Sequence, residues 1–215
     1  MKPSILQVYF ILGTNNTEQD PLEVLEEALQ GGVSLFQFRE KGKGALIGEE
    51  KKQMALKMRG LCHQYDVPFL INDDIDLALE IGADGVHIGQ EDEPFVQVKS
   101  RCPDHWIIGV SATNEKEAIK AKEDGADYIG VGPPIYGTNT KEDAKQPIGE
   151  NGLRNIREQV GDLPIVAIGG IKLGHIFGLR KAGADGVSII TAISRSKKPK
   201  EMAHLFRKFA HYQSN

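Results

Sequence analysis

Eight short runs of apolar, mostly β-branched residues recur along the chain, and this repetition restricts the possible folds more than any other feature. Segments with helical spacing of apolar residues separate most of the runs, an alternation that is typical of parallel βαβ units. Because the runs are apolar at consecutive positions, we predict strands that are buried on both faces. The predicted strands span residues 8–12, 34–39, 69–73, 85–89, 106–111, 128–132, 165–169 and 186–190.

The pattern contains eight strands, seven crossovers and a last helix near 200–212. It favours an α/β fold, the closed TIM barrel. The 215 residues are slightly fewer than the ~250 that are typical of such barrels. We therefore predict a single TIM-barrel domain over residues 1–215. An open, doubly wound sheet is the alternative, because periodicity does not reveal whether a sheet closes.

The ends of the predicted helices are marked by capping residues. Asp20 precedes Pro21 as an N-cap, and Asn114 with Glu117 has the spacing of a capping box. The phrase Gly-Ala-Asp comes three times directly before a strand, which indicates a glycine C-cap and a turn back into the sheet. We interpret its aspartates as turn residues at the N-terminal ends of the strands: Asp84, Asp127 and Asp185.

Composition excludes several classes of protein. Thirty acidic residues stand against 26 Lys and Arg, so no concentrated positive face is available for nucleic acid. The longest apolar stretches are about six residues, against the ~20 that span a bilayer, so neither a membrane span nor a secretory peptide is expected. Cys62 and Cys102 form no metal or redox motif and are interpreted as ordinary small helical residues of a cytoplasmic protein. The residues specify no oligomeric state.

Two carboxylates follow neighbouring predicted strands. In a parallel barrel the active residues belong at the C-terminal ends of the strands. Asp73 lies at the end of the third predicted strand and Asp92 follows the fourth, and neighbouring strands lie ~4.8 Å apart, close enough for both side chains to share one ion. Two carboxylates without a further cage favour Mg²⁺, which keeps waters and takes other ligands from substrate phosphates. We predict a magnesium site at Asp73 and Asp92.

Anion-binding features occur at the same predicted end of the barrel. Arg39, Lys41 and Lys141 place cations there, and Arg39 is suited to bidentate phosphate binding. Gly169–Gly170 and the turn at Ile190–Thr191 follow the last two strands, where barrels of this kind commonly bind a phosphate through backbone N–H groups.

Three further features of this end remain. His87 lies within a strand and is interpreted as a satisfied interior histidine. Ser111 has no obvious His and Asp partners, so we predict a binding hydroxyl and not a nucleophile. The segment 137–146 has the length and composition of a lid.

With these residues in place, the chain resembles the thiamine-phosphate synthase family. The resemblance covers residues 8–195 and is specific because seven strand ends match together. The matching motifs are FQFREKG, INDD, VHIGQED, GVS, GVGPPIYGTNTK, AIGGI and ADGVSIITAIS.

The resemblance implies a transferase that joins 4-amino-2-methyl-5-hydroxymethylpyrimidine diphosphate to a thiazole phosphate and releases pyrophosphate. Two small phosphorylated heterocycles are then the expected partners, and Mg²⁺ the cofactor. The residues expected to act in the chemical step are Arg39, Lys41, Ser111 and Lys141. Those expected to bind the pyrimidine diphosphate are Gln37, Phe38, Arg39, Glu40, Lys41, Asn72, Ser111 and Lys141. Those expected to bind the thiazole phosphate are Thr138, Asn139, Thr140, Gly170, Ile190 and Thr191.

Two positions depart from the family pattern. Pro134 is a second proline where Gly-Pro-Ile-Tyr is usual, and Thr191 stands in place of a serine. Three alternative functions are a thiazole tautomerase on the same barrel, a non-catalytic binder that keeps the pocket, and a sugar-phosphate isomerase or epimerase. The cations and the two carboxylates argue against the first two, and the third requires a base that the sequence does not supply.

Overall fold

The chain forms a closed barrel of eight parallel strands in sequence order. In the computed structural model, which describes residues 2–132, 135–137 and 146–211, each strand pairs with the next and β8 pairs with β1. Val8 lies opposite Val187 across the closing pair. The predicted TIM barrel is therefore confirmed, and the open sheet is excluded. The strands are β1 (Val8–Leu12), β2 (Leu35–Phe38), β3 (Phe69–Asn72), β4 (Gly85–Ile88), β5 (Ile107–Ala112), β6 (Tyr128–Val131), β7 (Ile165–Ile168) and β8 (Gly186–Ile189).

Helices surround the barrel, and the predicted caps are present. The Asp20 carboxylate accepts hydrogen bonds from the N–H groups of Leu22 and Glu23, while Pro21 occupies the first helical position. Asn114 caps the fifth helix through the N–H of Glu117. The helices are α1 (Pro21–Gln30), α2 (Gly48–Gln64), α3 (Ile75–Ile81), α4 (Phe95–Arg101), α5 (Glu115–Asp124), α6 (Gly149–Val160), α7 (Ile176–Lys181), α8 (Thr191–Ser194) and α9 (Pro199–His211).

The core has two layers, because alternate residues of each strand point to opposite faces. One layer lies between strands and helices and includes the packed rings of Phe10, Phe36 and Phe69. The other fills the barrel interior and includes Tyr9 and Tyr128. This double burial explains why the strands are apolar at consecutive positions.

The N-terminal ends of the strands carry a repeated carboxylate contact. Asp84 accepts a hydrogen bond from the N–H of Phe69, at the start of the preceding strand, at 2.8 Å. Asp127 and Asp185 make the corresponding contacts with the N–H groups of Ile108 and Ile165. The interpretation of these aspartates as turn residues is confirmed. Each one ties a turn to the neighbouring strand at the end of the barrel away from the predicted site.

Two smaller predictions concern the cysteines and the membrane. Cys62 lies in α2 and Cys102 caps the end of α4, and both are free and buried. Within the described residues, no helix has the length and apolar character that crossing a membrane requires.

Candidate active site

Polar residues from four consecutive strands meet at the C-terminal end of the barrel. Arg39 follows β2 directly, Asn72 is the last residue of β3, and Ser111 belongs to β5. Asn72 lies opposite His87 of β4 in the strand register. The predicted site residues of this part of the chain are therefore neighbours.

Asp73 is held in an unusual backbone conformation. Its φ angle is +62°, in the left-handed region that residues other than glycine seldom adopt. The Asp73 N–H donates to the carbonyl of His87 at 2.9 Å, which extends the β3–β4 pairing by one residue. Such strain persists only where the surroundings impose it and is concentrated at functional sites. The conformation thus supports a functional role for this carboxylate.

The side chains of Asp73 and Asp92 lie close together. Their carboxyl groups are within hydrogen-bonding reach of each other, and burial followed by this neighbour raises the pKa of Asp92. The N–H of Gly89 donates to Asp92 at 2.6 Å, and the Lys41 ammonium lies 2.7 Å from the Asp73 carboxylate. Two close carboxylates repel each other when both are ionised. A divalent cation would relieve that repulsion, so these residues fit Mg²⁺.

The rest of such an ion's shell would have to come from elsewhere. No group of three or more His, Cys, Asp or Glu side chains that could hold a metal occurs in the described parts of the chain. Two carboxylates with open positions match the preference of Mg²⁺ for water and substrate phosphates. The arrangement therefore suits an ion that binds together with a phosphorylated ligand.

Arg39 is available for an anion. Within residues 2–132, 135–137 and 146–211, no carboxylate pairs with its guanidinium. The Arg39 backbone is fixed by an N–H donated to Leu12 at 2.9 Å. A methyl group at Gly13 would lie 2.2 Å from the Arg39 carbonyl, so glycine is needed there for the close approach. The Arg39 backbone is thus fixed at the C-terminal end of β2, the strand beside β3, which Asp73 follows.

Glu40 and Phe38 contact the protein itself. The Glu40 carboxylate accepts hydrogen bonds from the N–H and hydroxyl of Thr14 and from the N–H of Leu46, at 2.6–2.8 Å. It ties the loop after β2 to the loop after β1. The Phe38 side chain is buried between the barrel and the helices. Any contact of Phe38 with a substrate is therefore expected through its backbone, and Glu40 is expected to act by ordering the loop.

Two predicted binding residues, Gln37 and Ser111, are the first and last members of a line of hydrogen-bonded side chains inside the barrel. Gln37 donates to the Tyr9 hydroxyl, and the Ser111 hydroxyl lies 2.9 Å from His87 Nε2. His87 Nδ1 in turn lies 2.9 Å from the Tyr128 hydroxyl, so the interpretation of His87 as a satisfied interior histidine is confirmed. Sequence reasoning missed the two tyrosines because each lies in an apolar strand. In the sequence, only the phenol oxygen of each tyrosine, within an otherwise apolar strand, indicates a buried hydrogen bond.

The ends of β6, β7 and β8 form the second half of the site. The chain after β6 pairs with the end of β7, since the N–H of Tyr136 donates to the carbonyl of Gly169 at 3.0 Å. A methyl group at Gly170 would lie 2.3 Å from the carbonyl of Gly137, and the φ angle of Gly170 is +66°. Only glycine fits this position. Thr191 is the first residue of α8, which follows β8, and β8 is the neighbour of β7 in the sheet.

Tyr136 is a residue of this half that the sequence did not single out. Its ring lies against that of His175, with centroids 3.8 Å apart, and its hydroxyl donates to Glu150 at 2.9 Å. Burial, followed by the hydrogen bond to Glu150, raises the pKa of Tyr136 to about 12. The contacts fix the chain beside Gly169 and Gly170. Tyr136 was overlooked because nothing in the local sequence marks its partners.

Part of the predicted site lies outside the described residues. This applies to the departure at Pro134, to most of the proposed lid at 137–146, and to one predicted cation and three predicted thiazole-phosphate residues: Lys141, Thr138, Asn139 and Thr140.

Comparisons with known proteins agree on one family. Residues 8–193 match the family described as thiamine monophosphate synthase. A thiamine-phosphate synthase of Bacillus cereus is 53% identical over 197 residues, which are 92% of this chain and 89% of the relative. One of Bacillus licheniformis is 51% identical over 202 residues, 94% of this chain and 89% of the relative. The solved thiamine phosphate pyrophosphorylase of Pyrococcus furiosus has a TM-score of 0.86 and 34% identity, covering 97% of this chain and 96% of its own.

Proposed function

Because the chain belongs to the thiamine monophosphate synthase family, we propose that its site couples a pyrimidine diphosphate to a thiazole phosphate. The chain is accordingly a transferase of thiamine biosynthesis. The proposed substrates are 4-amino-2-methyl-5-hydroxymethylpyrimidine diphosphate and 4-methyl-5-(2-phosphooxyethyl)thiazole. The observation that carries the proposal is the convergence of Asp73, Asp92, Lys41 and Arg39 at one mouth of the barrel.

The proposed reaction is a dissociative substitution. The bond between the pyrimidine methylene carbon and the diphosphate oxygen breaks, and the leaving diphosphate takes the electron pair. The thiazole nitrogen then uses its lone pair to form a carbon–nitrogen bond with the resulting cation. No proton has to move in these two steps, which agrees with the absence of an evident general base among the predicted residues.

The carboxylate pair and the cations would stabilise the leaving group. Asp73 and Asp92 would hold Mg²⁺, which supplies positive charge to the departing diphosphate. The Lys41 ammonium already lies against Asp73, and Arg39 has no carboxylate partner in the described part of the chain. The Arg39 guanidinium is proposed to bind phosphate oxygens, and the Lys41 ammonium to exchange its contact with Asp73 for one with the diphosphate. Lys141 is proposed to bind the same group. Positioned charges of this kind are usually the largest contribution to catalysis.

The two heterocycles would occupy the two halves of the site. Gln37, Asn72 and Ser111 are proposed to hold the pyrimidine beside the carboxylate pair. The thiazole phosphate would bind at the ends of β7 and β8, through the backbone of Gly170 and of Ile190–Thr191. Glycine there leaves backbone N–H groups open to an anion. Thr138, Asn139 and Thr140 are proposed to complete this half.

We also propose that the protein is a single domain and acts in the cytoplasm.

A tautomerase of the same barrel is the second candidate function, and the carboxylate pair argues against it. A thiazole phosphate alone has no diphosphate to be bound through Mg²⁺. A tautomerase would therefore not require the strained backbone of Asp73 or the close approach of the Asp73 and Asp92 carboxylates.

Incubation of the purified protein with both substrates tests the proposal. Thiamine phosphate, detected by mass spectrometry, should form with Mg²⁺ and disappear with excess EDTA, and renewed Mg²⁺ should restore it. The matched control is Asp104→Asn, which alters an exposed aspartate away from the site and should leave product formation unchanged. No product in the presence of Mg²⁺ would refute the coupling function.

A further inference from the structure

Five hydrogen-bonded side chains form one line through the barrel interior. The line begins where the Gln37 amide donates to the Tyr9 hydroxyl. The Tyr9 and Tyr128 hydroxyls are 2.9 Å apart, and that of Tyr128 lies 2.9 Å from His87 Nδ1. His87 Nε2 lies 2.9 Å from the Ser111 hydroxyl. Three residues without a role in the proposed reaction thus connect two that are proposed to bind the pyrimidine.

The barrel is shaped around the rings of this line. A methyl group at Gly109 would lie 2.1 Å from the Tyr128 ring, and one at Gly130 would lie 3.0 Å from the His87 ring. Any larger residue at either position would displace the ring that it faces. The His87 and Tyr128 rings are stacked with centroids 5.5 Å apart. The line is therefore a fixed part of the interior.

One order of the protons uses every hydroxyl donor along the line. Both tyrosines are fully buried, and burial raises the pKa of each phenol, so both stay protonated. Each phenol can donate one hydrogen bond. Since Gln37 donates to Tyr9, every hydroxyl proton is used when Tyr9 donates to Tyr128 and Tyr128 donates to His87 Nδ1. His87 is then the neutral tautomer that carries its proton on Nε2 and donates it to Ser111.

We propose that Tyr9, Tyr128 and His87 are positioning residues that fix which atoms Gln37 and Ser111 present to the pyrimidine. This inference rests on the proposed function. With the proton order above, Gln37 keeps its amide oxygen as an acceptor, and Ser111 keeps its hydroxyl proton as a donor. An aminopyrimidine offers the complement, an amino donor and a ring-nitrogen acceptor. A 4-oxo-pyrimidine offers the reverse, so the line selects amino over oxo substrates.

The tautomer of His87 can be measured without substrate. In protein labelled with ¹⁵N-histidine, the His87 signals are assigned by their loss in His87→Gln. Nδ1 should have the shift of an unprotonated nitrogen and Nε2 that of a protonated one. A proton on Nδ1 would mean the opposite order and would overturn the proposal. This result does not depend on whether the protein makes thiamine phosphate, so it separates failure of the line from failure of the proposed function.

Kinetics of the hydroxyl-deleted variants test the positioning role. Tyr128→Phe should raise KM for the pyrimidine diphosphate about 3- to 10-fold, the usual effect of one hydrogen bond, and leave KM for the thiazole phosphate unchanged. Tyr9→Phe combined with Tyr128→Phe should be no worse than the more affected single variant, because one break already interrupts the line. Tyr65→Phe removes a hydroxyl on the outer helices and should change neither constant. Equal effects on both substrates, or additive effects of the two variants, would contradict the proposal.

Discussion

At the scale of single residues, position after a strand was a sufficient guide to Asp73 and Asp92. Both follow strands in sequence, and the parallel order of the barrel places their carboxyl groups in mutual reach. Tyr9 and Tyr128 could not be found in this way. Whether a buried phenol meets another polar atom depends on the register between distant strands, and strand patterns in the sequence do not contain that register.

The raised pKa of Asp92 predicts a pH-dependent effect on stability. A raised pKa means that the folded protein holds this proton more tightly than the unfolded chain. Ionised Asp92 therefore lowers the free energy of unfolding above that pKa. Without divalent metal, Asp92→Asn should be more stable than the original protein at pH 7, and the gain should vanish as the pH falls below 3.8, the ordinary value for Asp.

Urea unfolding in EDTA at a series of pH values measures this effect. Asp76→Asn is the control, since Asp76 is exposed and paired with Arg101, and it should show no gain. Equal or lower stability of Asp92→Asn at pH 7 would show that burial and the neighbouring Asp73 do not raise the pKa of Asp92.

At the scale of elements, all eight predicted strands are present, and their ends lie within one residue of the predicted ones. The interactions between loops were harder to predict. Glu40 binds Thr14 and Leu46, and Tyr136 contacts His175, across separations that no local pattern records. The Gly-Ala-Asp turns were predictable because each uses only its own turn and the adjacent strand.

Gly170→Ala should weaken the binding of the thiazole phosphate. The added methyl group would meet the carbonyl of Gly137, and a positive φ strains any other residue, so we expect a loss of about 1–3 kcal/mol in stability. KM for the thiazole phosphate should rise more than KM for the pyrimidine diphosphate. Gly174→Ala is the matched control because its added methyl group meets nothing within 4 Å. An unchanged thiazole KM in Gly170→Ala would remove this turn from the binding site.

Asp127→Ala should affect stability and not catalysis. It leaves the buried N–H of Ile108 without its carboxylate partner, which typically costs about 1–3 kcal/mol. Chemical denaturation should show the loss, while kcat remains unchanged because the turn lies at the opposite end of the barrel from the carboxylate pair. Asp104→Ala, at an exposed position, should show neither effect. A reduced kcat in well-folded Asp127→Ala would contradict the expectation that the N-terminal ends of the strands affect stability alone.

At the scale of the whole molecule, the two ends of the barrel differ in the contacts that their carboxylates make. At the N-terminal ends of the strands, Asp84, Asp127 and Asp185 each bind a backbone N–H group of the neighbouring strand. At the C-terminal ends, Asp73 lies beside Lys41 and within reach of Asp92. Closure brings the end of β8 beside β1, so that residues from both ends of the chain surround one mouth. The number of strands in the sequence favours closure, and the long-range pairing of β1 with β8 demonstrates it.

Calorimetric titration of Mg²⁺ into the protein with inorganic pyrophosphate present tests the central claim most directly. We predict saturable binding that requires pyrophosphate and is lost in the double variant Asp73→Asn/Asp92→Asn, while Asp104→Asn binds as the original protein does. Undiminished Mg²⁺ binding by the double variant would show that this carboxylate pair does not hold the ion.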